Sequence, residues 1–381
     1  MRPVSFRNCY IRIDLPSTSL VVVSFMKDAS EKRRSVTLAD VARQANVSKA
    51  TAARVLGGYG VVSESAHEDV MKAAQALDYR PNELARSMTT GRSGLIGVVV
   101  GDIENPFFSF AVRGISDAAR AAGFNVILAN SGEEIEAEKA AVRVLIGKRV
   151  DGLIVTSADC RDISHLRDVH LSGRPLALLD RALPDLDVDA VTVDDRDAAM
   201  RATRLLVDAG HRRIAYVTAA EDAEIRGADG LPVISTSTVR DRIEGFLAAC
   251  READIAQPER SVLFGAKKTA TRAIVAGALA ASDRPTAILA SDSIIALETF
   301  KAIREARLRI PDDISLITFH DADWTSVTSP PITAVDQPVY SLGKSVADLL
   351  IRRLKGDMAA VERIVIAASL IERGSVGPPP H

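Results

Sequence analysis

The chain has 381 residues, 47% hydrophobic and 26% charged, with a formal net charge of -2. This composition describes a folded protein of two or three domains and excludes a polycation, so any nucleic-acid site must be a local basic patch. Its 3 cysteines, Cys9, Cys160 and Cys250, form no CxxC, and no apolar run nears the ~20 residues of a membrane span, which points away from a disulfide framework, a zinc site or a membrane anchor and towards a reducing cytoplasm.

Residues 1–35 come first. "SLVVVSF" is too short for a secretory core, and the charged stretch from Met26 is poor in apolar residues. The segment reads as a disordered tail, or as upstream sequence ahead of a start at Met26. From Val36 the pattern becomes helical. Leu38, Val41, Ala42 and Ala45 form one stripe, Thr37 is a cap and Asp40 stands at the capping-box position. Asn46 suits the left-handed turn that follows. Ser48 caps a second helix with Ala52, Val55 and Leu56 inward. Ser63 caps a third, with Val70, Ala73, Ala74 and Leu77 inward, which "DYRP" and Pro81 are expected to end. A three-residue turn between two short helices is helix-turn-helix spacing. From Lys32 to Arg54 the bases are Lys32, Arg33, Arg34, Arg43, Lys49 and Arg54, against the single acid Asp40. Such an excess can neutralise phosphates, so residues 36–81 read as a DNA-binding headpiece.

Residues 82–93, "NELARSMTTGRS", read as a short helix in a linker, with Leu84, Ala85 and Met88 on one face. From Leu95 short apolar runs take over: "LIGVVV", "FNVILA", "GLIVTS", "PLALLD", "RIAYVT", "TAILAS" and "ISLITF". Helical patterns separate most of them, which predicts parallel strands buried on both faces and built from βαβ units. Ligands in such sheets bind beyond the carboxyl ends of the strands. That directs attention to Asp102–Phe108, Asn130–Ser131, Asp180–Arg181, Ser291–Asp292 and Phe319–Trp324. The stretch "TAAEDAEIRGADGLPVISTSTVRDR" is long and rich in Gly, Asp and Ser, an exposed loop that covers a pocket mouth or stands clear of it. There is no GxSxG, no P-loop, no GxGxxG in the first βα unit and no metal-spaced cluster among the 6 His. No catalytic residue, metal ligand or cofactor is therefore expected.

The strings "VTLADVARQANVSKATAARVL", "YRPNELARSM", "TGRSGLIGVVVGDIENPFF", "KRVDGLIV", "GHRRIAYV", "RIEGF", "ASDSIIAL" and "PPITAVDQP" resemble the lactose/galactose repressor family of bacterial transcription regulators, in order and spacing, from about Val36 to Arg373. The resemblance implies a small all-α helix-turn-helix headpiece and a hinge helix. After them comes an α/β core (94–375) of two doubly wound parallel-sheet subdomains, periplasmic-binding-protein-like, with a tail at 376–381. The expected partition is an N-subdomain of 94–193 with 321–335 and a C-subdomain of 194–320 with 336–375.

The resemblance also implies roles. Lys49, Ala50 and Arg54 would face base edges, with Arg54 able to pair bidentately with guanine. Thr37, Ser48 and Thr51 would meet phosphates. Asn82, Leu84, Ala85 and Met88 would form the hinge helix, Met88 standing where the family wedges a Leu into the minor groove. One departure is Ala53, which replaces a Ser of the family's pattern and removes a hydroxyl donor. Phe107 and Phe108 would wall an effector pocket. Asp180, Arg242 and Asp292 would make its polar contacts, although Arg242 and Asp292 read without the resemblance are a surface-helix arginine and a helix cap. Lys267 falls where the family places an aromatic residue, which suggests a phosphate or carboxylate on the ligand. Trp324 is a pocket wall or a core residue. The expected partners are palindromic double-stranded operator DNA, a sugar or sugar phosphate or acid, and a second copy of the chain. The ending "GSVGPPPH" cannot form a heptad, which favours a dimer.

Overall fold

The computed structural model describes residues 36–57, 59–79, 92–219, 231–232, 234–265 and 268–380. The chain divides into two compact units, Met1–Arg86 and Ser87–His381.

In the first unit three helices, α1 (Leu38–Gln44), α2 (Lys49–Gly57) and α3 (Glu64–Ala76), close on a small core. Val41, Ala52 and Val70 at its centre are wholly buried, with Ala42, Ala45, Val55, Ala73 and Ala74 around them. Alanine at so many contacts lets short helices approach closely, so a few side chains suffice to seal them. Thr37 and Asp40 form the expected reciprocal cap on α1, and Asn46 takes the left-handed turn at φ 53°. The end of α3 differs from expectation. Pro81 is not what stops it: the helix is closed earlier by Asp78 at φ 45°, after which the Tyr79 amide donates back to the Ala74 carbonyl.

The second unit holds two six-stranded sheets. The first is built from β1 (Leu95–Val100), β2 (Asn125–Asn130), β3 (Gly152–Val155), β4 (Leu176–Leu179), β5 (Asp189–Val193) and a late strand, β11 (Arg363–Ile366), in the order β11-β5-β4-β3-β1-β2, all parallel. The second contains β6 (Ile214–Thr218), β7 (Val262–Phe264), β8 (Ala287–Ala290), β9 (Ser315–Phe319), β10 (Thr333–Asp336) and β12 (Ser369–Ile371), in the order β12-β10-β9-β8-β6-β7. Only β12 runs antiparallel to its neighbour. The seven apolar runs seen in the sequence are all strands. Every described residue of β3, β4, β6, β8 and β9 is buried, as sheets covered on both faces require.

The expected partition of the core needs correction. Residues 321–335 belong to the second half, because β10 pairs with β9. Residues 339–366 belong to the first half, not the second. Helix α12 (Val339–Leu354) lies across α4 (Pro106–Ala121), with Gly343 against Ala111 and Leu350 over Gly152 of β3, and β11 joins β5. The chain thus crosses between halves at about 193–195, 337–339 and 366–369. Two of these crossings are tied together. The Asp194 carboxylate accepts from the Ala368 amide at 2.7 Å and from Arg201, whose Nη2 donates to the Ala368 carbonyl at 2.9 Å.

Each half is sealed by one close helix pair, and glycine permits the approach. A Cβ on Gly343 of α12 would lie 2.0 Å from the Ala111 carbonyl oxygen, and one on Gly114 of α4 would lie 2.2 Å from that of Tyr340. In the other half, Gly245 of α8 (Ser237–Glu252) plays the same part against Arg196 of α7 (Asp195–Asp208). Gly343→Ala is expected to lower stability by about 1–3 kcal/mol, because backbone on both sides must part. A thermal melt checks this, and an unshifted midpoint contradicts it.

Candidate functional site

On the headpiece, α2 buries Ala52 and Val55 and turns Lys49, Ala50 and Arg54 outward. At its N-terminus the Ser48 hydroxyl accepts from the Thr51 amide at 3.0 Å and lies 2.8 Å from the Thr51 hydroxyl. The Thr51 amide is thereby capped, and both hydroxyls stand at the end of the helix that favours negative charge. Thr37 is exposed, and its hydroxyl donates to Asp40 at 2.7 Å. Arg43 is drawn to the same Asp40 at 3.2 Å. Ala53 is half-buried on the α2 surface and offers no donor. Asn82, Leu84, Ala85 and Met88, and the tail before Val36, lie outside the described residues.

In the second unit a cavity of about 300 Å³ opens where the carboxyl ends of both sheets meet. The first half contributes Asp102, Asn105, Phe107, Phe108, Glu133, Asp180 and Arg181. The second contributes Thr218, Thr236, Thr238, Arg242, Asp292 and His320, and Gln337 comes from a crossing. Phe107, Phe108, Asp180, Arg242 and Asp292 are thus brought together as expected. Trp324 is not part of the cavity: its ring packs 5.9 Å from that of Phe300, on the core of the second half. Lys267 lies outside the described residues. Glu133, Thr236 and Gln337 carried no signal in the sequence beyond lying near a strand or helix end. Of the long loop, Ile234, Ser235 and Thr236 line the cavity, and the Cys160 amide donates to the Ser235 carbonyl at 2.9 Å, joining the halves beside it.

Asn105 caps α4 and Pro106 opens it, which sets the two phenylalanines edge to face at 5.2 Å in the cavity wall. Arg242 is buried. Its Nε donates to Asp195 at 2.6 Å, Nη1 to the Ser291 carbonyl at 2.6 Å, and its guanidinium lies 4.4 Å from the centre of the Phe319 ring. Asp195 was not anticipated. Burial, with Asp180 adding to it, outweighs Arg242 and pushes the Asp195 carboxyl up to about 7. Asp292 caps α10 (Ser293–Glu305) by accepting from Ile294 and Ile295, and it also lines the cavity. Burial raises its carboxyl despite those bonds.

Asp180 and His320 stand out. Both are buried and both have left-handed backbones, φ 68° and 66°, which non-glycine residues rarely adopt and which cluster at functional sites. Asp180 Oδ1, both ring nitrogens of His320 and Gln337 Nε2 have no hydrogen-bond partner. All three residues are among those that line the cavity. Burial raises the Asp180 carboxyl against the pull of Arg181 and Arg242. Burial, aided by Arg242 and opposed by Asp321 and Asp323, pushes the His320 imidazole down to about 4.

His320 is therefore neutral in the fold. Its folded value lies below the ordinary 6.5, so its contribution is intact above pH 6.5 and is lost as pH falls to 4, on the order of 3 kcal/mol in all. His320→Asn keeps a residue tolerant of φ 66° and removes the titration. The acid limb of its melting-versus-pH curve is expected to flatten relative to wild type, and parallel curves would contradict this.

Residues 37–82 match the family model described as bacterial regulatory proteins, lacI family, and residues 203–376 match the periplasmic binding protein-like domain. The ribose operon repressor of Halalkalibacterium halodurans is 33% identical over 341 residues, 88% of this chain and 96% of that protein. Among solved structures, the Lac repressor dimer bound to operator and the anti-inducer ONPF is 26% identical, with a TM-score of 0.78 over 90% of this chain and all of that one. A LacI family transcriptional regulator from Enterococcus faecium with bound ribose is 30% identical, with a TM-score of 0.64 over 74% of this chain and 99% of that one.

Proposed function

The chain belongs to the lacI family of bacterial regulatory proteins, and on that premise we propose how its residues divide the work of a ligand-responsive repressor. It is a DNA-binding transcriptional regulator and not an enzyme. Its partners are operator DNA, a sugar-class effector and a second copy of itself, in keeping with a Lac repressor dimer on its operator and a relative holding ribose. It acts on an operon for carbohydrate uptake or breakdown. Its place of work is the cytoplasm, and no helix among the described residues is long and apolar enough to cross a membrane.

Lys49, Ala50 and Arg54 read base edges in the major groove, and Ser48 and Thr51 hold phosphates at the mouth of α2. Two headpieces related by the two-fold axis of a dimer read two half-sites, which is why so small a helix pair is sufficient. The effector lies between the halves of the core. Phe107 and Phe108 stack against its apolar face, and Asp180, Arg242, His320 and Gln337 meet its hydroxyls. The observation that carries this reading is the cavity itself, where buried polar atoms of Asp180, His320 and Gln337 stand without partners between two sheet ends. Binding there alters how the two halves meet and, through the linker, the grip on DNA. A coupling of about 1–3 kcal/mol changes operator affinity roughly 5–150-fold. A gel shift with DNA flanking the gene, titrated with sugars, tests this. Retardation that a sugar changes is expected. A monomer indifferent to duplex DNA at modest salt would overturn it.

A further inference from the structure

Among the described residues that line the cavity are two arginines, and each is paired with a carboxylate of the chain. Arg242 holds Asp195. Arg181 forks onto Glu133, Nη1 to Oε2 at 2.6 Å and Nη2 to Oε1 at 2.9 Å, and Nη1 also donates to the Ser157 carbonyl at 2.7 Å. Local structure is shaped to deliver Glu133. It follows β2 in a turn where Gly132 and Glu133 both take left-handed backbones, φ 64° and 65°. Its carboxylate then passes over Gly101, where a Cβ would stand 2.0 Å from Glu133 Oε1. Among the described lining residues, the carboxylates are those of Asp102, Glu133, Asp180 and Asp292, and the cationic side chains are Arg181 and Arg242.

We infer that Glu133 sets the charge specificity of the cavity: by neutralising Arg181 it makes the site select uncharged, hydroxyl-rich ligands and reject their phosphorylated and carboxylate forms. An anionic ligand would set its charge against Asp102, Asp180 and Asp292 and meet two guanidiniums whose charges are already balanced, Arg181 Nε being the one buried donor of that side chain without a hydrogen-bond partner. A neutral polyol meets Asp180 Oδ1, His320 and Gln337 Nε2 with hydroxyls that donate and accept. This is opposite in sign to what Lys267 suggests from the sequence. It rests on the cavity being the effector site.

The test is titration calorimetry of the full-length protein and its Glu133→Gln variant against ribose, glucose and galactose, ribose 5-phosphate, glucose 6-phosphate and gluconate. Wild type is expected to bind a neutral sugar at least about 100-fold more tightly than its anionic form. Glu133→Gln is expected to gain about 10-fold or more for the anionic form, with the neutral sugar changed less than about 3-fold. Adding Arg181→Gln should abolish the gain, a result that a purely structural role for Glu133 would not give. Glu133 is 30% exposed, which favours a folded variant, and Glu133→Asp, which keeps the charge, should keep the wild-type preference. Wild-type preference for an anion, or an unaltered ratio in Glu133→Gln, overturns the role of Glu133 alone. A panel in which nothing binds, while the protein still retards operator DNA, overturns the sugar-effector reading beneath it.

Discussion

Replacing Arg242 with Gln is expected to cost about 3–5 kcal/mol, the penalty for breaking a buried ion pair and leaving its anion uncompensated. For a domain of this size that is a fall of roughly 6–20 °C in melting midpoint. The reason is the company Arg242 keeps. Asp180, Asp195 and Asp292 are all buried, and Arg242 acts favourably on each of their charges. Glutamine replaces one donor and none of the charge. The penalty should depend on pH in a stated direction. Carboxyls raised in the fold bind protons more readily folded than unfolded, so their unfavourable contribution is absent below the ordinary value of 3.8 and grows as pH rises, for Asp195 through about 7. The gap between variant and wild type is therefore expected to be wide at pH 8 and narrow at pH 5. The variant should also lose its response to effector while its headpiece still binds DNA. A melting midpoint within a degree of wild type across that range would sink the account.

Arg54→Ala is expected to act on the opposite partner and leave the fold alone. The side chain is exposed on α2, so stability should change by no more than about 0.5 kcal/mol. A bidentate arginine–guanine pair is worth about 1–3 kcal/mol, and a two-fold dimer loses two, so operator affinity should fall by about 2–6 kcal/mol, roughly 30-fold to over 10⁴-fold. Non-specific duplex should be affected far less, which separates base reading from simple charge. Gel shifts on operator and scrambled duplex at one salt concentration measure both. An equal loss on the two would assign Arg54 to the phosphates.

The headpiece was legible nearly residue by residue, because three helices at a 3.6-residue period and three side-chain caps are local properties. Seven of the strands were legible for the same reason: short apolar runs between helices admit few other readings. What was not legible depends on pairing between distant segments. The chain's last crossings were assigned to the wrong halves because nothing in residues 321–366 states which sheet they join, and only the register of β10 on β9 and β11 on β5 decides it. Trp324 stayed between two readings for a related reason, since a position after a strand can face the cavity, as His320 does, or turn into the core beside Phe300, as Trp324 does. The strand-end rule found Asp180, Arg242's neighbour Ser291, and Asp292. It could not find Asp195, whose role exists only once α7 and α8 bring it to Arg242, nor Glu133, which reaches Arg181 across a turn that the sequence does not announce.

Asp194 and Asp195 are adjacent yet hold different things: one fastens the first crossing to the third at Ala368, the other grips the arginine in the cavity. A single peptide bond therefore separates the carboxylate that pairs with Arg242 from the one that ties two crossings together, so neither tie can be displaced without straining the residue beside it.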